Sequence, residues 1–351
     1  MSEAYLGEIA EQPGILARLA TSFAGAYAAP LTEVAAHLQA GDFDRVLITA
    51  MGGSLHGAYP AYLELSRRLA VPVLFWDASE LTQQAPEVMS ARSLVIAISQ
   101  SGESGELRRL TESLLRPALA ISVTNGTDNS LARWADIAIA THAGPENTAS
   151  TKTYTAGVAA LHLALAHLFG EGAKAATEVT AAALDVQNLI DRLAKETADA
   201  AAFLGHEEPL VFIGRGIGFA SAAMAALLTQ EAAKLASQSL SAGQFRHGPL
   251  EMVRANFRAV IYLGTGPTRD LTIPLVKQIT RLGGKSVVIG FGTMPNFDPA
   301  FVQAITLPET VDGLLAIHEI LPVQYLVIPL AIARGFEPAA FLNASKITTG
   351  Q

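Results

Sequence analysis

The chain has 351 residues, half of them hydrophobic and 16% charged, with a formal net charge of −8. That length can hold two domains, each with its own core, and the apolar content excludes a disordered chain. The acidic balance lacks the basic face a general nucleic-acid binder needs, and the absence of cysteine excludes disulfides, thiolate catalysis and cysteine-held metals.

The first residues, MSEAYLGEIAEQPG, carry neither a basic segment nor an apolar core, so no signal peptide is expected. Residues 13–40 read as two short helices split near Pro30. Strand-like runs follow at Val46–Ala50, Val71–Trp76, Ser93–Ser99, Leu119–Thr124 and Ile137–Ala140, with helical stretches between them, notably Leu55–Leu69 and Glu106–Leu115. Such alternation specifies a parallel sheet covered on both faces. Residues from about 151 to 205 are Ala-rich and read as a helical hairpin.

The pattern then restarts. A strand at Leu210–Ile213 leads through Gly214-Arg215-Gly216 into an apolar helix reaching about Ala236. Strands at Ala259–Leu263, Ser286–Ile289 and Ala304–Leu307 precede a last helix over roughly Gly313–Ala333. The shared order of strand, Gly-rich turn, long helix and strand predicts two copies of one α/β domain. The expected boundaries are N-terminal helices over 1–40, domains over 41–205 and 206–335, and a tail over 336–351. His162 and His167 interrupt one apolar helical stretch, and His318, Glu319 and Pro322 another. Neither offers the roughly 20 clean apolar residues of a membrane span, so a cytoplasmic protein is expected.

The most informative motif is Ser99-Gln100-Ser101-Gly102-Glu103-Ser104, directly after the apolar run Leu94–Ile98. A buried parallel strand breaking into small hydroxylated residues at a helix start makes an anion site, because helix N-termini carry unpaired N–H groups. An ordinary N-cap supplied by Ser104, with Glu106 in the first turn, is the alternative. Gly52-Gly53-Ser54 follows the first strand and lets backbone approach a ligand; a plain strand-to-helix turn fits equally well. Neither this turn nor Gly214-Arg215-Gly216-Ile217-Gly218 has the dinucleotide spacing. Ser150-Thr151-Lys152 opens a helix, where Ser and Thr act as caps or line a site. Glu231 stands on an apolar helix that would desolvate it toward a general base, or else it pairs with Lys234. His247, before Gly248-Pro249-Leu250, is poorly explained by packing and is suited to moving a proton. Arg246 reads as solvated, and Lys346 as a solvated tail residue. His56, His162, His167 and His318 read as core or surface residues, with no metal-ligand spacing, and no cofactor is expected.

As a set, these motifs resemble the sugar isomerase (SIS) family: the isomerase half of glucosamine-6-phosphate synthase, and stand-alone SIS-type glucosamine-6-phosphate deaminases and fructosamine deglycases. The resemblance spans about residues 40–351. The serine run differs from the family's phosphate loop only in ending with Ser104 for threonine, and Gly52-Gly53-Ser54 differs from Gly-Thr-Ser at Gly53. Ser150-Thr151-Lys152, Gly214-Arg215-Gly216, Glu231 and His247-Gly248-Pro249-Leu250 follow in the family's order. The resemblance implies two tandem SIS domains, each a doubly wound, flavodoxin-like parallel sheet between helices. It implies a sugar-phosphate ligand, with Ser54, Ser99, Gln100, Ser101 and Ser104 on the 6-phosphate and Ser150 on the sugar. Glu231 would shuttle a proton between C1 and C2, His247 would assist ring opening from a neighbouring subunit of a homodimer, and Lys346 would lie at the open-chain sugar.

There are departures. Residues 1–40 cannot form a glutaminase domain, so amine chemistry would use free ammonia, a separate glutaminase partner, or release of ammonia. Where the synthase pattern has Glu seven and Lys three residues before the base, this chain has Met224 and Leu228. Gly53 removes a hydroxyl from the anion cradle, which leaves a sulfonate open as the terminal group. Glu146 receives no role. The expected function is an aldose–ketose phosphosugar isomerase, with a glucosamine-6-phosphate deaminase and a non-catalytic sugar-phosphate sensor as alternatives.

Overall fold

The computed structural model describes residues 3–113, 115–207, 209–343 and 345–346. Helices α1 (Glu3–Ala10) and α2 (Gln12–Ala40) lead into β1 (Arg45–Ala50), α3 (Gly52–Arg68), β2 (Val73–Asp77), α4 (Ala78–Gln83), β3 (Ser93–Ile98), α5 (Gly105–Glu112), β4 (Leu119–Thr124), α6 (Ser130–Trp134) and β5 (Ile137–Ala140). Two long helices follow, α7 (Lys152–Leu168) and α8 (Gly172–Leu204). The second half runs β6 (Leu210–Gly214), α9 (Ile217–Ala233), β7 (Ser237–Ser241), α10 (Ala242–Phe245), β8 (Arg258–Tyr262), α11 (Gly266–Arg281), β9 (Lys285–Phe291), β10 (Val302–Leu307) and α12 (Leu315–Ala333).

The chain divides into two units. The first comprises Glu11–Glu146, Ser150–Ala183 and the described residues from Asn343 onward. The second comprises the described residues up to Ala10, Asn147–Ala149 and Leu184–Leu342, so the division falls within α8.

In the first unit the sheet order is β2-β1-β3-β4-β5, all parallel. Central β3 is buried along its whole length, as its unbroken apolar run requires of a strand covered on both faces. On one face Leu47, Val95, Ala97 and Ala120 meet Leu81 of α4, Leu107 and Leu110 of α5 and Leu131 of α6. On the other, α3 packs against α7, and α7 against α2. In the second unit the order is β10-β9-β8-β6-β7, again all parallel. Val211, Ile213, Ala259 and Ile261 meet Phe245 of α10 and Leu275, Val276 and Ile279 of α11. Helices α9 and α12 pack together. With the strands of each sheet numbered in chain order, both orders are 2-1-3-4-5. Such a sheet has its switch point between strands 1 and 3.

The structure corrects the sequence reading in several places. Helix α2 continues through Pro30. A proline removes the donor to the carbonyl four residues back, but that carbonyl belongs to Ala26, an exposed residue. The buried face, with Phe23, Leu31 and Val34, carries the helix past the break. Strand β7 had no apolar signature because Ser237-Gln238-Ser239-Leu240-Ser241 is a half-buried edge strand paired only with β6. Helix α9 stops at Ala233 rather than Ala236, because Lys234 takes a left-handed conformation.

The stretch Asp312–Ala333 is long and apolar enough to cross a membrane by length and composition, contrary to the expectation from its interruptions. Yet 83% of its most apolar part is buried, as in a core helix. Within it Glu319 is fully buried and accepts a hydrogen bond from Ser221 Oγ at 2.5 Å. Burial pushes this carboxyl up to about 8 against the opposing Ser221 bond. Because the folded value lies above the ordinary 4.5, the folded state holds an extra proton between those limits. Stability therefore falls as pH rises through that window, by up to about 1.4 kcal/mol per pH unit. Urea unfolding between pH 5 and 8 should show this slope in the wild type and a flatter profile in Glu319→Gln.

Candidate active site

A cleft opens in the first unit at the carboxyl ends of its strands. The carboxyl ends of β1, β3 and β4 supply its wall, with Ser54 after β1, Ser99 and Gln100 after β3, and Thr124 and Asn125 at β4. Helix α7 closes one side with Thr153 and Tyr154. Of the residues predicted from sequence, Gly53, Ser54, Ser99, Gln100 and Ser150 are brought together here. Ser101 and Ser104 lie in the same serine loop but not in the cleft wall.

The loop folds on its own hydroxyls. Ser99 Oγ accepts from the Gly102 N–H at 3.0 Å and Ser101 Oγ from the Glu103 N–H at 3.1 Å. Each hydroxyl hydrogen remains available to donate. Ser104 is the N-cap of α5 by backbone conformation, yet its hydroxyl makes no capping bond and is buried without a partner. The ordinary-cap reading therefore does not describe Ser104. Glu103 accepts from the Ser130 N–H at 2.6 Å, and this bond, with help from the Ser130 hydroxyl, Arg108 and Arg133, holds its carboxyl below the usual range against desolvation. Gly102 is indispensable: its φ is +67°, and a Cβ there would lie 1.9 Å from Asn129 Oδ1, the atom that caps α6 through the Ala132 N–H. Gly52 opens α3 at φ +51°, again glycine's territory.

Glu146, left without a role by the sequence, is the most heavily bonded carboxylate of this unit. It is buried and accepts from the backbone N–H groups of Thr151 and Thr153 at 2.9 and 3.1 Å and from Thr153 Oγ1 at 2.5 Å. Lys346 Nζ donates to it at 2.6 Å. Burial pushes the Glu146 carboxyl up, but the Lys346 charge and these hydrogen bonds outweigh it and hold the group below its usual value. Lys346 is thus a paired, half-buried cation rather than a solvated tail residue. Thr151 is the N-cap of α7 without a side-chain capping bond, and Ser150 Oγ lies 3.1 Å from Thr153 Oγ1. The neighbouring Lys152 is buried and donates to Glu11 at 2.5 Å.

Glu231 and His247 belong to the second unit. Glu231 is half-buried near the end of α9 and interacts with Lys234. Met224 and Leu228, on the same helical face one and two turns back, are fully buried. His247 is exposed on the turn after α10, ahead of Gly248 at φ +118°. Among the other histidines, His318 is buried against Leu314 O and Asp185, His162 meets Glu178, and burial lowers His56 to about 4. Among the described residues no group of three His, Asp or Glu could hold a metal ion.

Sequence reasoning missed Glu146, Thr124, Asn125, Thr153 and Tyr154. Thr124-Asn125 carried a usable signal, since it follows an apolar strand as the serine loop does. Glu146 carried none, because its partners come from positions 5, 7 and 200 residues away.

The fold is a doubly wound α/β arrangement with a cleft at the strand ends of the first sheet. Residues 42–167 match the SIS domain family. The glutamine–fructose-6-phosphate aminotransferase (isomerizing) of Pyrococcus horikoshii is 30% identical over 314 residues, covering 88% of this chain and 52% of that protein. The chain thus spans about half the length of the curated relatives it matches. Among solved structures, the C-terminal domain of glucosamine-fructose-6-phosphate aminotransferase from Francisella tularensis superposes with a TM-score of 0.80 at 22% identity, covering 97% of this chain and 98% of that one. Tagatose-6-phosphate ketose/aldose isomerase from Escherichia coli superposes at 0.82 and 20% identity, covering 96% and 95%. At these identities the structural likeness speaks for the fold.

Two substitutions test this geometry. Gly102→Ala should lower the unfolding free energy by about 2 kcal/mol or more through the Asn129 clash and the left-handed strain, read by urea denaturation. Glu146→Ala should cost about 2–4 kcal/mol by leaving Lys346 and two threonine N–H groups without their acceptor, with Glu146→Gln costing less.

Proposed function

We propose that the chain is an aldose–ketose isomerase acting at C1–C2 of a 6-phosphorylated sugar or amino sugar. The observation that carries the reading is the cleft, where neutral hydroxyl and amide donors from several strand ends converge without a Lys or Arg in its wall. Such a set suits a small anion held by hydrogen bonds at a helix start. Ser54, Ser99, Gln100, Ser101 and Ser104 are assigned to the phosphate, and Ser150 to the sugar. Glu231 takes a proton from C1 of the open ketose and returns it to C2 through an enediol, while a hydroxyl proton moves between O2 and O1. His247 assists ring opening, and Lys346, which donates to Glu146, faces the developing oxyanion.

The common 2-1-3-4-5 order of the two sheets supports reading them as tandem SIS domains, with 1–40 and 336–351 as flanking segments. The exposure of His247 suits a residue offered to a second copy in a homodimer. The isomerizing activity in the relatives' name accords with this chemistry. The buried, apolar Met224 and Leu228 favour a reaction without the polar contacts the synthase pattern makes there.

Proton NMR in D2O with fructose 6-phosphate and, separately, glucosamine 6-phosphate tests the proposal. Deuterium should enter at C1 or C2 with the wild type and fall at least about a hundredfold with Glu231→Gln. Free ammonia from glucosamine 6-phosphate would assign the deaminase direction to the same shuttle. Binding of both sugars with no exchange would overturn the C1–C2 assignment and leave a sensor.

A further inference from the structure

Helix α9 ends without the glycine that usually closes a helix. Lys234 occupies the C-cap at φ +51°, a left-handed conformation that costs a side-chain-bearing residue about 1 kcal/mol. Among the described residues only three other than glycine have positive φ: His142, Lys234 and Ala339. Two of these three meet here. The N–H of Ala339, a fully buried residue at φ +61°, donates to Ala232 O at 3.0 Å. Lys234 Nζ donates to two carbonyls, that of Glu231 on its own helix and that of Ala340 on the incoming segment. Arg334 Nη2 donates to Lys234 O at 3.0 Å from the end of α12, and Ala149 N–H donates to Ala339 O at 3.3 Å. Burial lowers the Lys234 amine while the Glu231 charge opposes that shift. Strained backbone of this kind persists only where the surroundings over-determine it, and it gathers at functional sites.

We propose that Lys234 is a positioning residue that clamps the Ala339–Ala340 segment onto the turn of α9 carrying Glu231. The clamp rests on the role given above to Glu231. One ammonium fixes the carbonyl of the candidate base and that of Ala340. A long cation is needed because it reaches two carbonyls at once, which a glycine cap cannot do. The chain's neighbouring substitutions fit this arrangement. Where the synthase pattern has a lysine three residues before the base, this chain has buried Leu228, and its own lysine stands three residues after.

Glycine and arginine variants separate the clamp from the cap in the full-length protein. Gly accepts the left-handed conformation without strain, so Lys234→Gly removes the ammonium while favouring the helix end. Hydrogen exchange at the Ala339 amide should speed up at least about tenfold in Lys234→Gly. The kcat of C1–C2 proton exchange should fall about tenfold or more with KM nearly unchanged, and the acidic limb of its pH profile should move to higher pH as the cation beside Glu231 is lost. Lys234→Arg should recover most of both effects. Unchanged exchange at Ala339 in Lys234→Gly would overturn the clamp. Faster exchange with unaltered kcat and pH profile would overturn its positioning role, leaving only a structural one. If the wild type turns over neither sugar, the isomerase reading fails, while the amide exchange still decides whether the clamp exists.

Discussion

Parallel pairing is the constraint from which the rest of this structure follows. A strand whose neighbour runs the same way cannot be joined to it by a tight turn, so each connection crosses a face of the sheet, usually as a helix. Strand-to-helix turns then collect at one edge, and where the strand order reverses they separate into a crevice. Both sheets reverse between their first and third strands. Ser54 and the serine loop stand at that point in one unit, and the Gly214–Gly216 turn and the segment after β8 in the other.

The same topology carries different chemistry in the two units. In the first, the ring of Tyr154 on α7 lies 3.2 Å from where a Cβ on Gly57 of α3 would be, and both residues line an open cleft. In the second, a Cβ on Gly218 at the start of α9 would meet Tyr262 at 3.2 Å and Glu319 Oε1 at 3.7 Å. A buried carboxyl from α12, bonded to Ser221, therefore fills space beside α9 where the first unit leaves room next to α3. The space beside α9 is thereby filled rather than left open to a ligand. The divergence of the loops matches it, since Gly264–Thr268 carries no run of serines.

How much of this was legible in the sequence depended on how local each cause is. The buried strands announced themselves, because β3 and β8 are short apolar runs bounded by turn residues. The serine loop was legible for the same reason, its hydroxyls bonding N–H groups only two and three residues away. Strand β7 was not, since an edge strand with one partner needs no apolar alternation. Pro30 misled because the solvent exposure of Ala26, which lets the helix tolerate it, is a tertiary fact. Glu146 and Lys346 are 200 residues apart, and only the fold makes them a pair.

That pair completes an electrostatic arrangement suited to a chain of net charge −8. The cleft is lined by hydroxyls, amides and a helix start, the donors that the proposed anionic ligand would meet. The nearby cation, Lys346, is paired with the Glu146 carboxylate, which burial pushes up and the Lys346 charge and the threonine hydrogen bonds hold down. The residues that line the cleft are uncharged, so the proposed affinity would come from the number and direction of donors. Salt screens exposed charges strongly and short hydrogen bonds in a cleft weakly. An acidic protein can in this way hold an acidic ligand without a basic patch, and the constraint that makes it possible is again the gathering of backbone N–H groups and small hydroxylated turns at one edge of a parallel sheet.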